Sequence, residues 1–269
     1  MLNPNLEIGR RFVDENKPPG RMLLCAVTGS HHYGFPSPDS DLDLKGIHLA
    51  PTESLLGLES PVETQDRLEI FDGVECDFTS HEARKALKLL LSGNGNMLER
   101  ILSPFQLYET DALEELIQIA RDSLSKRFFK HYRGYFKGMC AEHEGSEIPR
   151  AKTLLYTYRV ALTGVHLLRT GKLEADLNIT SQQYGFGQVI ALIEFKREQG
   201  EKSALPARMD EVFKGRWLEL EALLDEALAA SKLPGEPLNS EEISEWLRTK
   251  RISEIGSGIL CRAIGEIRK

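Results

Sequence analysis

Hydrophobic and polar positions change rhythm along this chain, and the changes mark its elements. Met22-Leu23-Leu24-Cys25-Ala26-Val27 is an unbroken apolar run, the pattern of a buried strand over 22–28. Over 41–49 the period is two: Asp41, Asp43 and Lys45 share one face and Leu42 and Leu44 the other. Arg67–Phe71 and Val74–Phe78 flank Asp72-Gly73, a hairpin signal. Thr79 and Glu82 then have the spacing of a capping box, predicting a helix to about Leu91 that Ser92-Gly93-Asn94-Gly95-Asn96 stops. A short opening helix is expected over 6–16, broken by Lys17-Pro18-Pro19-Gly20. From about 97 onward the period is helical almost throughout. The class expected is α+β: a small mixed sheet with flanking helices, then a helical domain. Strand signals stop near 104–122, which divides the chain into 1–110 and 111–269.

The strand-rich part also carries the candidate chemistry. Gly29-Ser30 closes the apolar strand, where free backbone N–H groups and a hydroxyl can hold phosphate oxygens. Asp41 and Asp43 follow on one face of the next strand, with Ser40 beside them. Alone, the pair could be two solvated aspartates on an edge strand; after a strand-terminal Gly-Ser it becomes a candidate metal site. A two-metal site wants a third carboxylate from another strand, and Asp77 supplies it, with Glu75 two residues earlier on the same polar face. A phosphate holder beside paired carboxylates is what a magnesium-dependent phosphoryl or nucleotidyl transferase needs.

The order Val27-Thr28-Gly29-Ser30, Asp41-Leu42-Asp43, then Asp77 resembles the DNA polymerase beta-like nucleotidyltransferase superfamily. The finer pattern resembles a branch found beside RNA ligases, in which Gly-Ser-x-x-Tyr-Gly leads into Ser-Asp-x-Asp-x-x-Gly. Here that is Gly29 to Gly34 with Tyr33, and Ser40 to Gly46. The later Asn-x-Asn-x-x-Glu segment matches Asn94-Gly95-Asn96-Met97-Leu98-Glu99, although that branch often has proline where this chain has Gly95. The resemblance covers most of 22–103 and, more weakly, 150–175. It implies a small nucleotidyltransferase sheet and two Mg2+ ions, or Mn2+ in their place. Asp41 and Asp43 would bind both ions; Asp77 would bind one and accept the attacking hydroxyl's proton. Gly29, Ser30, Tyr33 and Ser40 fall on the nucleotide-binding side of the motif.

In the helical half, Lys152, Tyr156, Arg159, Thr163 and His166 fall on one narrow face, opposite Leu154, Leu155, Tyr158, Leu162 and Val165. The face is either an ordinary solvated stripe or a grip on a triphosphate with Tyr156 stacking a base. The resembled branch also carries a Lys and an Arg near here. Lys126, Lys130, Arg133 and Lys137 form a second basic stripe beside Phe129, Tyr132 and Phe136. Its aromatics are expected in the core, and its charges are either solvated or in contact with an RNA backbone. His31 and His32 lack the companions of a zinc site. Trp217, Trp246 and helices over 206–231 and 240–250 read as packing elements, with Asn239 and Glu242 as a capping box for the last.

Composition narrows the partners. With 34 basic and 41 acidic residues the net charge is −7, so any contact with a polyanion must be local. No apolar run reaches membrane-spanning length, and no signal-peptide core opens the chain. Cys25, Cys76, Cys140 and Cys261 lack zinc spacing; the first two are expected reduced and buried, and the location cytoplasmic. The activity expected is transfer of a nucleoside monophosphate from an NTP to a hydroxyl, an RNA 3′ end before a protein or small-molecule acceptor, with release of pyrophosphate. The competing expectation is a nucleotide-binding sensor or partner subunit without catalysis.

Overall fold

The computed structural model describes the backbone of residues 3–267 and the side chains of 3–255. Helix α1 (Leu6–Glu15) precedes strand β1 (Arg21–Val27), the single turn α2 (Gly29–His32) and strand β2 (Leu42–Leu49). The hairpin β3 (Thr64–Phe71) and β4 (Val74–Glu82) completes a four-stranded mixed sheet of order β1-β2-β4-β3. Strand β2 runs antiparallel to β1 and parallel to β4, and β3 is antiparallel to β4. The hairpin turns on Asp72 (φ 48°) and Gly73 (φ 79°), both left-handed as a tight two-residue connection requires.

Period-two patterning gives the sheet two distinct faces. Leu42, Leu44, Cys76 and Phe78 are buried against Phe12 and Val13 of α1 and against Leu107. Asp43, Lys45 and Asp77 must therefore point to the opposite face. Parallel pairing sets Asp43 directly across from Asp77.

Ten further helices follow among the described residues. They are α3 (Ala83–Leu91), α4 (Gly95–Leu102), α5 (Asp111–Asp122), α6 (Phe128–Glu144) and α7 (Ala151–Thr170), then α8 (Leu177–Gln183), α9 (Val189–Gln199), α10 (Ala207–Lys214), α11 (Trp217–Ala230) and α12 (Ser240–Ile267). The fold is thus α+β, a small mixed sheet followed by helices. Helix α7 is the central member of the helical part. Its Leu154, Leu155, Tyr158 and Leu162 are wholly buried, as the wheel requires.

Two helix starts differ from the sequence expectation. Strand β4 continues to Glu82, with Phe78, Ser80 and Glu82 buried in alternation, so Thr79 pairs in the sheet instead of capping a helix. The cap of α3 is Glu82 itself, whose carboxylate accepts from the Arg84 N–H at 2.7 Å. Strand pairing on both sides of Thr79 outweighs the local capping signal. The segment expected to stop the helix does end α3 at Leu91 and starts the next one at once: Asn94 accepts from the Met97 N–H at 3.0 Å and opens α4. At the other end of the chain, the Asn239 carboxamide is engaged with Ser123 and the Ile119 carbonyl of α5.

On α6 the aromatics are core residues: Tyr132 and Phe136 are buried, and Phe129 packs partly buried beside Val165. Two members of its basic stripe meet acids of α11, Arg133 bonded to Glu221 (2.8 Å) and Asp225, and Lys137 to Glu221 (3.1 Å). Cys25, Cys76 and Cys140 are free thiols and the first two are buried; the Cys261 side chain lies outside those described. No helix among the described residues is long and apolar enough to cross a membrane.

Candidate active site

The site begins where β1 ends. The Ser103 hydroxyl donates to the Val27 carbonyl (2.6 Å), and the Thr28 N–H donates to the Asp43 carbonyl (2.8 Å). These bonds press the turn against β2. Gly29 has φ +63°, and a Cβ there would lie 1.7 Å from Asp43 Oδ2. No other residue can bring the backbone this close to the carboxylate. Gly29→Ala is accordingly expected to cost about 1–3 kcal/mol in strain and to displace Asp43. Chemical denaturation measures the cost, and an unchanged midpoint would contradict this packing. The next residue, Ser30, has a buried hydroxyl with no hydrogen-bond partner.

Across the sheet, Lys45 Nζ bonds Asp77 Oδ2 at 2.8 Å and lies 3.8 Å from Asp43 Oδ1. Burial, reinforced by the charges of Asp41 and Asp77 and opposed by Lys45, pushes the Asp43 carboxyl up to about 6. A buried carboxyl that feels two further carboxylates, Asp41 and Asp77, against the nearby ammonium of Lys45 favours additional positive charge. All the donors are hard carboxylate oxygens, which fits a small dication. Among the described residues, no three acids or other ligating groups close on a single point, Lys45 standing between Asp43 and Asp77.

Of the three candidate acids, Asp41 lines a cleft of about 660 Å³, bordered on the sheet side also by Asp39 and Glu75 and on the helical side by Lys152, Tyr156 and Glu201. Lys152 bonds Glu201 Oε2 at 2.7 Å. Burial alone would lower the Lys152 ammonium, but the bond to Glu201 and the nearby aspartates carry it above its ordinary value. Tyr156 meets Tyr33 and Phe35 edge to face at 5.7 and 5.5 Å.

Sequence position alone placed Arg159 with Lys152 and Tyr156, and the structure separates them by depth. Arg159 is wholly buried, bonding Glu99 Oε1 at 2.8 Å with its guanidinium 3.8 Å over the Tyr33 ring. Tyr33 and Tyr132 donate their hydroxyls to the same carboxylate at 2.8 and 3.2 Å. Two guanidinium nitrogens, Nε and Nη2, remain unpartnered. With Thr163 also buried, this face of α7 is not a solvated stripe. Lys152 and Tyr156 border the cleft, and Arg159 and Tyr33 lie beneath it.

Sequence reading missed Lys196 and Glu201. Lys196 is wholly buried, and its Nζ bonds Glu201 Oε1 (2.6 Å), the Ser37 and Ser40 hydroxyls (3.1 and 3.2 Å) and the Phe35 carbonyl (3.1 Å). A signal was present: Val189, Leu192, Ile193 and Lys196 have the i, i+3, i+4, i+7 spacing of a buried stripe, with a charge as its last member.

Comparison with known proteins identifies the family. The family described as RNA repair pathway DNA polymerase beta (RlaP) matches residues 10–249. The uncharacterized protein MJ0002 of Methanocaldococcus jannaschii is 29% identical over 227 residues, 82% of this chain and 90% of the relative. The uncharacterized protein YcgL of Bacillus subtilis is 26% identical over 234 residues, 81% of this chain and 87% of its own. A solved nucleotidyltransferase-like protein from Exiguobacterium sibiricum covers 84% of this chain and 75% of its own at 10% identity and a TM-score of 0.32, too distant to bear on the fold. With a match that runs from the opening helix into the last one, the chain belongs to the RNA repair pathway DNA polymerase beta family, a polymerase beta-like group of nucleotidyltransferases.

Proposed function

We propose that this protein is a magnesium-dependent nucleotidyltransferase that moves a nucleoside monophosphate from an NTP such as ATP to the 3′ hydroxyl of an RNA, releasing pyrophosphate, in the cytoplasm. The observation that carries the reading is the direct register of Asp43 and Asp77 on adjacent strands, with Gly29 packed against Asp43. Asp41, Asp43 and Asp77 would hold two Mg2+ ions, or Mn2+. Bound there, the ions supply positive charge at the α-phosphate and the departing pyrophosphate.

The chain's own residues supply the rest. The Gly29 and Ser30 turn offers a backbone N–H and an unpartnered hydroxyl to phosphate oxygens. Lys152 stands across the cleft as a charge for the triphosphate, and Tyr156 borders the same space as a surface for the base. Tyr33 and Arg159 act from below, fixing the wall on which Tyr156 rests. Asp77 takes the proton of the attacking hydroxyl, and Lys45 holds its carboxylate in place at 2.8 Å. The family's setting in RNA repair supports RNA as the acceptor. The α6 basic stripe lends it little support, since Arg133 and Lys137 are paired with Glu221.

A pair of variants tests the assignment of the third acid. Asp77→Asn is expected to keep NTP binding and stop transfer, whereas Glu75→Gln, on the cleft wall, is expected to be mild. Nucleotide titration and pyrophosphate release measure both; the reverse outcome would move the reacting hydroxyl to Glu75.

A further inference from the structure

The segment from Gly34 to Ser40 joins the Gly29–Ser30 turn to Asp41, yet it contains no strand or helix and two prolines. Irregular backbone is held in place only by what bonds to it. Asn178 of α8 donates to the Gly34 carbonyl at 2.7 Å, and the remaining long-range bonds come from α9 and the turn after it. Arg197 Nη2 donates to the Gly34 carbonyl at 2.9 Å, and Lys196 reaches the Phe35 carbonyl and both serine hydroxyls. The Glu201 N–H donates to Asp39 Oδ2 at 3.2 Å, and the Ser40 hydroxyl donates to Glu201 Oε1 at 3.0 Å. The two serines close the loop on themselves, the Ser37 N–H donating to Ser40 Oγ and the Ser40 N–H to the Ser37 carbonyl, both at 3.0 Å.

We propose that Lys196 is a positioning residue for the candidate catalytic centre, fixing the 34–40 loop so that Asp41 and Asp43 enter the sheet at the depth their chemistry needs. Lys196 touches no reacting atom; it acts through Ser40, the residue directly before Asp41. An ammonium has three protons, and four oxygens gathered at 2.6–3.2 Å use all of them. Stability alone gives no reason for this arrangement, because an apolar side chain often fills a buried site as well as an ion pair does. What an apolar residue cannot do is draw a carbonyl and two hydroxyls to one point. The helical half thereby builds part of the catalytic half's geometry.

This inference rests on the function proposed above, and its test uses two readouts so that each can fail separately. Lys196→Met keeps the stem and removes the charge. In the full-length protein it is expected to raise amide exchange of Ser37, Ser40 and Asp41 at least about tenfold with protection elsewhere unchanged. It is also expected to lower kcat about a hundredfold, the usual cost of displacing a reacting group by about 1 Å, with little change in the NTP KM. If Lys196→Met does not fold, Glu201→Gln is the second variant, expected to give the same exchange signature and a smaller fall in kcat. Wild-type exchange at 37–41 in a folded variant, or a wild-type kcat in an active enzyme, overturns the positioning role. A wild-type protein that transfers no nucleotide overturns the function reading alone, and the exchange data still decide Lys196.

Discussion

Asp43→Asn is expected to abolish nucleotidyl transfer, by at least about a thousandfold, while leaving the fold as stable as before or more so. The loss follows from ligand chemistry. An amide oxygen cannot supply the anionic donor a hard dication prefers, and a metal's charge at the reacting phosphate is worth several kcal/mol. The gain follows from the crowding of acids. In the folded chain the Asp43 carboxyl sits at about 6 because it is buried beside Asp41 and Asp77, above its ordinary 3.8. A carboxyl whose folded pKa is raised binds more protons in the native state, so its effect on stability worsens as pH rises from about 4 through about 6. At neutral pH that penalty is on the order of 2–3 kcal/mol, and the neutral amide escapes it. Lys45 keeps its closer partner, Asp77 at 2.8 Å. Thermal melts in EDTA at pH 4.5 and 7.5 check this: the variant's advantage should appear at the higher pH and shrink at the lower. A variant that is less stable at both values, or that keeps turnover, contradicts the site as described.

Arg159→Met is expected to be the most damaging single change to the fold, costing about 3–5 kcal/mol. It leaves Glu99 buried, with only the Tyr33 and Tyr132 hydroxyls to answer its charge. It also removes the cation stacked 3.8 Å over Tyr33. By contrast, Lys152→Ala touches a half-exposed lysine whose one bonded partner is Glu201, and stability should hardly move. NTP binding should separate the two in the other direction, with Lys152→Ala weakening it by about 1.5–3 kcal/mol. Denaturant titration and NTP titration of both variants give the four values. A stable Arg159→Met, or unchanged NTP affinity in Lys152→Ala, would show that depth does not divide this face of α7 as proposed.

The contrast between these two residues marks how far the sequence was legible. Strand β1 was readable as an unbroken apolar run, and β2 and the β3–β4 hairpin by their period of two, with the Asp72-Gly73 turn the plainest signal. The alternation of Leu42 and Leu44 with Asp43 and Lys45 fixed which residues face the site before any pairing was known. The pairing itself was not readable. That β2 lies parallel to β4, bringing Asp43 across from Asp77, depends on long-range topology that no local pattern encodes. Thr79 shows a local signal overruled by that topology, since its capping spacing lost to strand pairing with Lys45 and Asp66. On α7 the helical wheel gave direction without depth, so Lys152 at the cleft and Arg159 in the interior looked alike. The apolar stripe of α9 marked Lys196 as buried, but not as a site residue, because its partners, Phe35, Ser37 and Ser40, lie some 160 positions away in sequence.

The central claim is the transfer itself, and one measurement addresses it directly. The purified full-length protein is incubated with Mg2+, an α-phosphate-labelled NTP and a short RNA, offered in parallel with a free 3′ hydroxyl and with a 3′ phosphate that blocks it. The account predicts label joined to the RNA only when the hydroxyl is free, with one pyrophosphate released per nucleotide added and none in Asp43→Asn. Label that binds without becoming covalent, or that joins the blocked RNA equally well, would contradict it.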